Sequence, residues 1–437
     1  MNIKINKSFG WIIMLALTLS MGSCKDQAAE EADDTDFDEI EQSVLDAWIA
    51  TNRPELVSSQ QEDGYYIEFE DGVTTSGEAI EQGGYISYKI TTCDMDGNIY
   101  NNRDETMAVQ QGVYNRYTRY AAMTDYVPST SDDIDADEAL EYAFMSSELI
   151  INGVTTAVEF KAGTKFSLYT RSELAGTVNG LSGYAGQYLH SGYRPVRFDI
   201  EVTEVQNYPA DTQKDHIDDF IALNSATYPT KDWTLLNSEG AHYIRLNTNY
   251  IPIDGTPLQF ENEYQYEKLL RDNTVQTDLP QTLAGLKQMI TEEVLELYEE
   301  DEDDMSDDVI GSSNSSCIWY IARTLDGFIV DSNIEEVQWL IYGTSTSNTS
   351  YLYYTADDDE DDYISAWYHA IPNIRYGEWA AFLTTSTNAY SYTGVSASDS
   401  STEIPPHTPL LFEVYIAPVI DYSYYDEDDE DEVDDDE

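Results

Sequence analysis

Apolar residues recur at helical spacing near the start of two long stretches of this chain. The first set is Ile40, Val44, Leu45, Trp48 and Ile49; the second is Ile217, Phe220 and Ile221. Three- and four-residue steps put each set on one helix face. A short linker and an alternating strand follow each helix, Tyr65-Tyr66-Ile67-Glu68-Phe69 and His242-Tyr243-Ile244-Arg245-Leu246. Each stretch then has a strand that runs into an Asp-Gly pair, Asp96-Gly97 or Asp326-Gly327, the residues a tight hairpin needs. Closing strands come last, Pro195-Val196-Arg197-Phe198-Asp199-Ile200 and Pro409-Leu410-Leu411-Phe412-Glu413-Val414. Helix, strand, hairpin, short helix and strand in this order predict an α+β fold, an antiparallel sheet wrapped on a short helix.

The order occurs twice, so two domains are expected, over 36–205 and 211–422. The second is longer by an insertion at about 261–316. There Leu283, Leu286, Ile290, Val294 and Leu297 predict an amphipathic helix, either packed on its own domain or offered to a partner.

Charge narrows the function. The 437 residues carry 84 acids and 21 bases, a formal charge of −63, which argues against nucleic acid as a partner. Acidic runs at 299–308, 357–362 and 426–437 are expected to be solvated, the last within a disordered tail over 423–437. Cys93 and Cys317 could pair in an oxidising compartment, but two unpaired, half-buried thiols is the expected state. No zinc-ligand spacing, phosphate-binding glycine loop or nucleophile elbow is present, and no cofactor is expected.

The first residues read as an address. Lys4 and Lys7 precede a short apolar run from Trp11 to Leu19, too short to span a bilayer as a helix, and Met21-Gly22-Ser23-Cys24 follows. This resembles the signal of bacterial lipoproteins. The resemblance implies a signal peptide over 1–23, lipidation and membrane attachment at Cys24, and an acidic tether over 24–35. Outer-membrane localisation is expected, on the periplasmic or the cell-surface face.

One segment carries most of the functional information. Ile364 and Trp367 share a short helix, followed by Ile374-Arg375-Tyr376-Gly377-Glu378, then Asn388-Ala389-Tyr390, then Ile404-Pro405-Pro406 leading into the closing strand. This order resembles the C-terminal half of FKBP-type peptidyl-prolyl isomerases. The resemblance implies two FKBP-like domains and a proline pocket in the second. Trp367 would be the floor under the proline ring, and the Ile364 N–H would bind the substrate carbonyl. Tyr390 would reach the ligand with its hydroxyl, and Phe412, Tyr320 and Asp331 would complete the site. Val330 stands where the family usually has an aromatic residue. In the first domain the floor falls near Gly153, the loop tyrosine near Gly176, and the aspartate becomes Asn101 after Tyr100, so that domain is expected to have lost the pocket.

Such a pocket needs no nucleophile. Rotation about an amide bond faces a barrier of ~18–20 kcal/mol because resonance gives it double-bond character. A water-poor aromatic site favours the twisted, less polar bond over the planar one. The implied function is cis/trans isomerisation of Xaa-Pro bonds in envelope or surface proteins, with proline-containing polypeptides as clients. A non-catalytic peptide-binding module, or a structural envelope lipoprotein, is the alternative. The sequence leaves the oligomeric state open.

Overall fold

The computed structural model describes residues 37–112, 114, 120–129, 139–175, 194–246, 258–260, 283–296, 309–311, 315–342, 351–355, 363–395 and 403–419. Cys24, Gly176 and the acidic runs at 299–308, 357–362 and 426–437 lie outside these residues.

The first half begins with helix α1 (Phe37–Asn52) and strands β1 (Tyr66–Phe69), β2 (Tyr85–Asp94) and β3 (Ile99–Asn102). Helix α2 (Glu105–Gln111), strand β4 (Met123–Tyr126) and helix α3 (Ala139–Met145) follow. Strands β5 (Glu148–Ile151), β6 (Val154–Ala157), β7 (Lys165–Thr170) and β8 (Val196–Gln206) complete it. β5 and β6 pair only with each other; the rest form an antiparallel sheet in the order β1-β7-β8-β2-β3, with β4 also on β2. Asp104 caps α2 by accepting from the Met107 N–H at 2.9 Å, and Gly112 ends it in the left-handed conformation.

The second half begins with α4 (Pro209–Leu223), β9 (Thr234–Leu235), β10 (His242–Arg245) and α5 (Leu283–Glu296). It continues through β11 (Ser315–Thr324), β12 (Ile329–Ser332), α6 (Glu335–Tyr342), β13 (Leu352–Thr355), α7 (Ser365–Ala370), β14 (Trp379–Thr384) and β15 (Leu410–Pro418). Its antiparallel sheet runs β12-β11-β15-β14-β10-β9, with β13 also on β11.

The two sheets share register and irregularity. Thr92 faces Asn101 in one hairpin and Ala322 faces Asp331 in the other, and each hairpin has a bulge one residue further along. Thr92 also pairs with Phe198, as Ala322 does with Phe412. Leu168 and Phe382 occupy matching places across from these closing-strand aromatics. A bulge is a local, position-specific distortion. Its recurrence at the same step ties the two halves together more firmly than side-chain likeness does.

Burial differs between the halves. β8 alternates buried and part-exposed residues over most of its length, whereas every residue of β15 before Pro418 is buried. The reason is a second layer. One face of the second sheet packs on α7 through Ile318, Ala322, Phe382, Phe412 and Val414. The other face is covered by α4 and α5, which supply Ile217, Phe220, Leu286, Ile290 and Val294. A strand covered on both faces reads as a continuous apolar run. Leu286, Ile290 and Val294 of the apolar stripe expected on the insertion helix are thus used in packing, and Leu297 is outside the described residues.

Two expectations need correction. Ile40 and Val44 are each 53% exposed, and α1 instead packs through Leu45 and Ile49, both at 0%. The inner ridge is Glu41-Leu45-Ile49, because the Glu41 carboxylate accepts from the Ser172 N–H at 2.7 Å and its hydroxyl at 2.8 Å. Cys93 and Cys317 form no disulfide, and both are fully buried rather than half-buried.

Candidate functional site

The site is assembled on the α7 face of the second sheet. Pro372, which has no N–H to donate, stands just beyond the short α7, in a 3-10 turn over Ile371–Asn373. This brevity leaves Trp367 near the helix start, where its buried indole faces the sheet. The indole lies edge-on to Tyr320 at 5.5 Å, to Phe412 at 5.7 Å and to Phe382 at 6.1 Å between ring centres. Phe382 and Phe412 stack across neighbouring strands at 5.0 Å. Edge-on contacts suit ring quadrupoles and hold the indole at a fixed tilt.

Polar groups gather at the edge of this aromatic floor. Tyr320 donates its hydroxyl to Asp331 Oδ2 at 2.8 Å, and the Ser332 N–H fixes Asp331 Oδ1 at the same distance. Ile364 is the N-cap of α7: its carbonyl accepts from the Trp367 N–H at 3.0 Å, while its own N–H lies outside the helical ladder. Tyr390 packs on the same cluster. Burial, reinforced by the Asp331 charge, pushes its hydroxyl up to about 12, so it is a donor at neutral pH. Tyr320, Asp331, Ile364 and Tyr390 are half-buried, and Trp367 and Phe412 are buried beneath them. All six residues singled out in the second half therefore meet in one place. His369 is exposed on α7.

The sequence reasoning missed Tyr354 and Tyr363. Tyr363 stacks on Trp367 at 6.3 Å with ring planes 20° apart, and donates its hydroxyl to the Tyr353 carbonyl at 2.6 Å. Tyr354 in turn lies 5.3 Å from Tyr363. They stand on either side of the acidic run at 357–362, in a polar stretch whose composition hid them. Their rings stand in the cluster that also buries Val330, so an aromatic wall is present without an aromatic residue at position 330.

The first half has a different interior. Strand register places Ile90 at the position of Tyr320, Asn101 at that of Asp331 and Phe198 at that of Phe412. The floor position is not near Gly153, however. Gly153 and Asn152 both have positive φ and form the β5–β6 turn, a hairpin inserted between α3 and β7 that displaces a count along the chain. The matching helix is α3, which buries Leu140 and Phe144. Phe144 meets Phe160 edge-on at 5.3 Å and Tyr88 at 5.5 Å, filling the space with rings. A cavity of about 10 Å³ remains beside Tyr88, Asp125 and Leu140, room for one water. Tyr88 donates a short hydrogen bond to Asp125, and burial pushes that carboxyl up to about 6.

Among the described residues no group of acidic, histidine and cysteine side chains is arranged to hold a metal ion. Nor is any helix among them long and apolar enough to cross a membrane.

The fold is mixed α+β with antiparallel sheets. No family model matches the chain, and no curated protein matches it in sequence. Its neighbours among solved structures include three proteins. The three FKBP domains of wheat FKBP73 are 11% identical, over 82% of this chain and 95% of that one, with a TM-score of 0.23. A peptidyl-prolyl cis-trans isomerase from Pseudomonas syringae pv. tomato is 17% identical, over 49% and 97%, with a TM-score of 0.25. FkpA from Escherichia coli is 15% identical, over 47% and 75%, with a TM-score of 0.28.

Proposed function

We propose that the second half is an FKBP-type peptidyl-prolyl cis-trans isomerase acting on Xaa-Pro bonds of envelope or surface polypeptides. One observation carries the reading: an indole floor ringed by Tyr320, Phe382 and Phe412, with a Tyr320–Asp331 hydrogen bond and the protonated Tyr390 beside it. The proline ring stacks on Trp367, the Ile364 N–H and the Tyr390 hydroxyl hold the flanking carbonyls, and the imide between them loses water contacts as it twists. Desolvation of this kind favours the less polar rotated bond, and pre-set donors avoid reorganisation during the rotation. No nucleophile or proton transfer is called for.

In this reading the chain is anchored in the outer membrane through a lipidated Cys24, and the first half, its interior filled by Phe144 and Phe160, is non-catalytic. A protease-coupled assay on proline peptides tests the enzymatic claim. Turnover by the chain from residue 25 onward that falls on Trp367→Leu supports it. Saturable peptide binding without turnover would replace it with a peptide-binding module.

A further inference from the structure

The segment that carries Tyr390 and Ile404 into the site is held from both halves of the chain. Within the second half, Val395 and Ile404 exchange backbone hydrogen bonds of 2.8 and 2.9 Å. The Gly394 N–H reaches the Tyr390 carbonyl at 3.1 Å, and the His407 N–H reaches that of Ser391 at 3.2 Å. Ser391 and His407 both adopt positive φ, and Gly394 packs so close to the Ile404 carbonyl that a side chain there would collide with it. The described parts of this segment thus behave as one tightly folded unit, in which a displacement at Glu403 or His407 reaches Tyr390 through few bonds.

Two residues of the first half press on that unit. Arg103 Nη1 lies 2.8 Å from Glu403 Oε2, with the two side chains only 8% and 22% exposed. The Tyr85 ring meets the His407 imidazole edge-on at 4.1 Å. Both come from rigid positions. Tyr85 opens β2, and Arg103, just after β3, donates its N–H to the Ile90 carbonyl at 2.9 Å. Arg103 also lies within electrostatic reach of the Asp125 carboxyl, as does Glu403, so this cation serves two acids at the seam. Removing it would leave those two acids facing each other, and a partly buried pair suffers more from losing one member than an exposed pair does.

We propose that the first half is a buttress for the isomerase site of the second: Arg103 and Tyr85 are positioning residues that act on Tyr390 and Ile404 through the 403–408 segment. The proposal rests on the function proposed above, and it gives the half without a pocket a part in that function.

The test uses the full chain with Arg103→Ala, Arg103→Lys, Tyr85→Ala and Glu403→Ala. Amide hydrogen exchange is read over 386–395 and 403–408, alongside kcat and KM for a proline peptide. Arg103→Ala is expected to speed exchange in these two stretches about tenfold, with β11 and β15 unchanged, and to lower kcat/KM about fivefold, mainly through KM. Glu403→Ala should do the same from the exposed side of the pair, a safeguard should Arg103→Ala fold poorly. Tyr85→Ala should speed exchange mainly over 403–408, and Arg103→Lys should retain most of both signals because it keeps the charge. Exchange and turnover unchanged in Arg103→Ala and Glu403→Ala would overturn the buttress. A parent chain without turnover, in which Arg103→Ala still speeds exchange, would sink the isomerase reading and leave the mechanical coupling standing.

Discussion

Two buried tryptophans on opposite faces of one sheet provide an internal control for the isomerase reading. Trp367 is 4% exposed and belongs to the aromatic cluster on the α7 face. Trp379 is 1% exposed on the other face, where it donates to Thr291 Oγ1 at 3.0 Å and lies under the Lys287 ammonium at 5.1 Å. Replacing either with leucine removes a ring from a packed core. Large-to-small changes of this size cost about 2–4 kcal/mol once the cavity left behind is counted. Trp379 also loses a hydrogen bond and a cation–π contact, together about 1–3.5 kcal/mol, whereas Trp367 loses edge-on contacts to three rings, about 1.5–4.5 kcal/mol in all. The two variants should therefore unfold at similar denaturant midpoints, both below the parent. Their turnover should separate widely. Trp367→Leu should lose at least about tenfold in kcat/KM, the equivalent of ~1.4 kcal/mol of transition-state stabilisation, and Trp379→Leu less than about twofold. Equilibrium unfolding by urea, with the coupled proline assay at a temperature where both variants are folded, measures both quantities. Equal turnover in the two variants would refute the reasoning, because it would make the indole at 367 ordinary core.

Other expectations follow from the same geometry. Tyr390→Phe should leave stability nearly unchanged and lower kcat/KM about threefold to tenfold in steady-state assays, the size of one neutral hydrogen bond. Because the parent hydroxyl titrates at about 12, that loss should be constant between pH 6 and 9. Val330→Phe, which the sequence pattern suggests would restore a missing wall, should instead destabilise by about 1–3 kcal/mol in urea titrations without raising turnover. Val330 is 1% exposed, and Tyr363 already stacks on the indole. Asp125→Asn should stabilise the chain at pH 8 by ~1–3 kcal/mol and do nothing below pH 3.8, as followed by thermal melting. The sign follows from a folded carboxyl raised to about 6. The native state holds its proton where the unfolded chain has released it, so stability present at low pH is lost as pH rises through that interval.

Much of this arrangement was legible because it is local in sequence. The Asp-Gly pairs dictate hairpins, and Ile217, Phe220 and Ile221 dictate a helix face, whatever surrounds them. The α1 face was misjudged because periodicity counts apolar residues and overlooks a buried carboxylate; Glu41 turns inward only because Ser172, distant in sequence, supplies two donors. The floor position of the first half was misplaced because the β5–β6 hairpin lengthens the chain between α3 and β7, and its Asn152-Gly153 turn signal was passed over. Tyr354 and Tyr363 were lost among the 35 tyrosines of the chain, since what marks them is ring geometry. The contact of Arg103 with Glu403 joins residues from different halves, and nothing local announces it.

Adjacent residues on β15 have opposite tasks. Phe412 faces the aromatic floor, while Glu413 is buried on the other side between Lys287 and Arg323, the latter at 3.0 Å. Burial alone would raise the Glu413 carboxyl, yet the two cations hold it below the usual carboxylate range. Sliding this strand by one residue would drive an anion among Trp367 and Phe382 and strand a phenyl ring between two positive charges. The clamp under α5 therefore acts as an index pin: it admits a single alignment of the closing strand, and with it a single aspect of the Phe412 ring toward whatever rests on the indole.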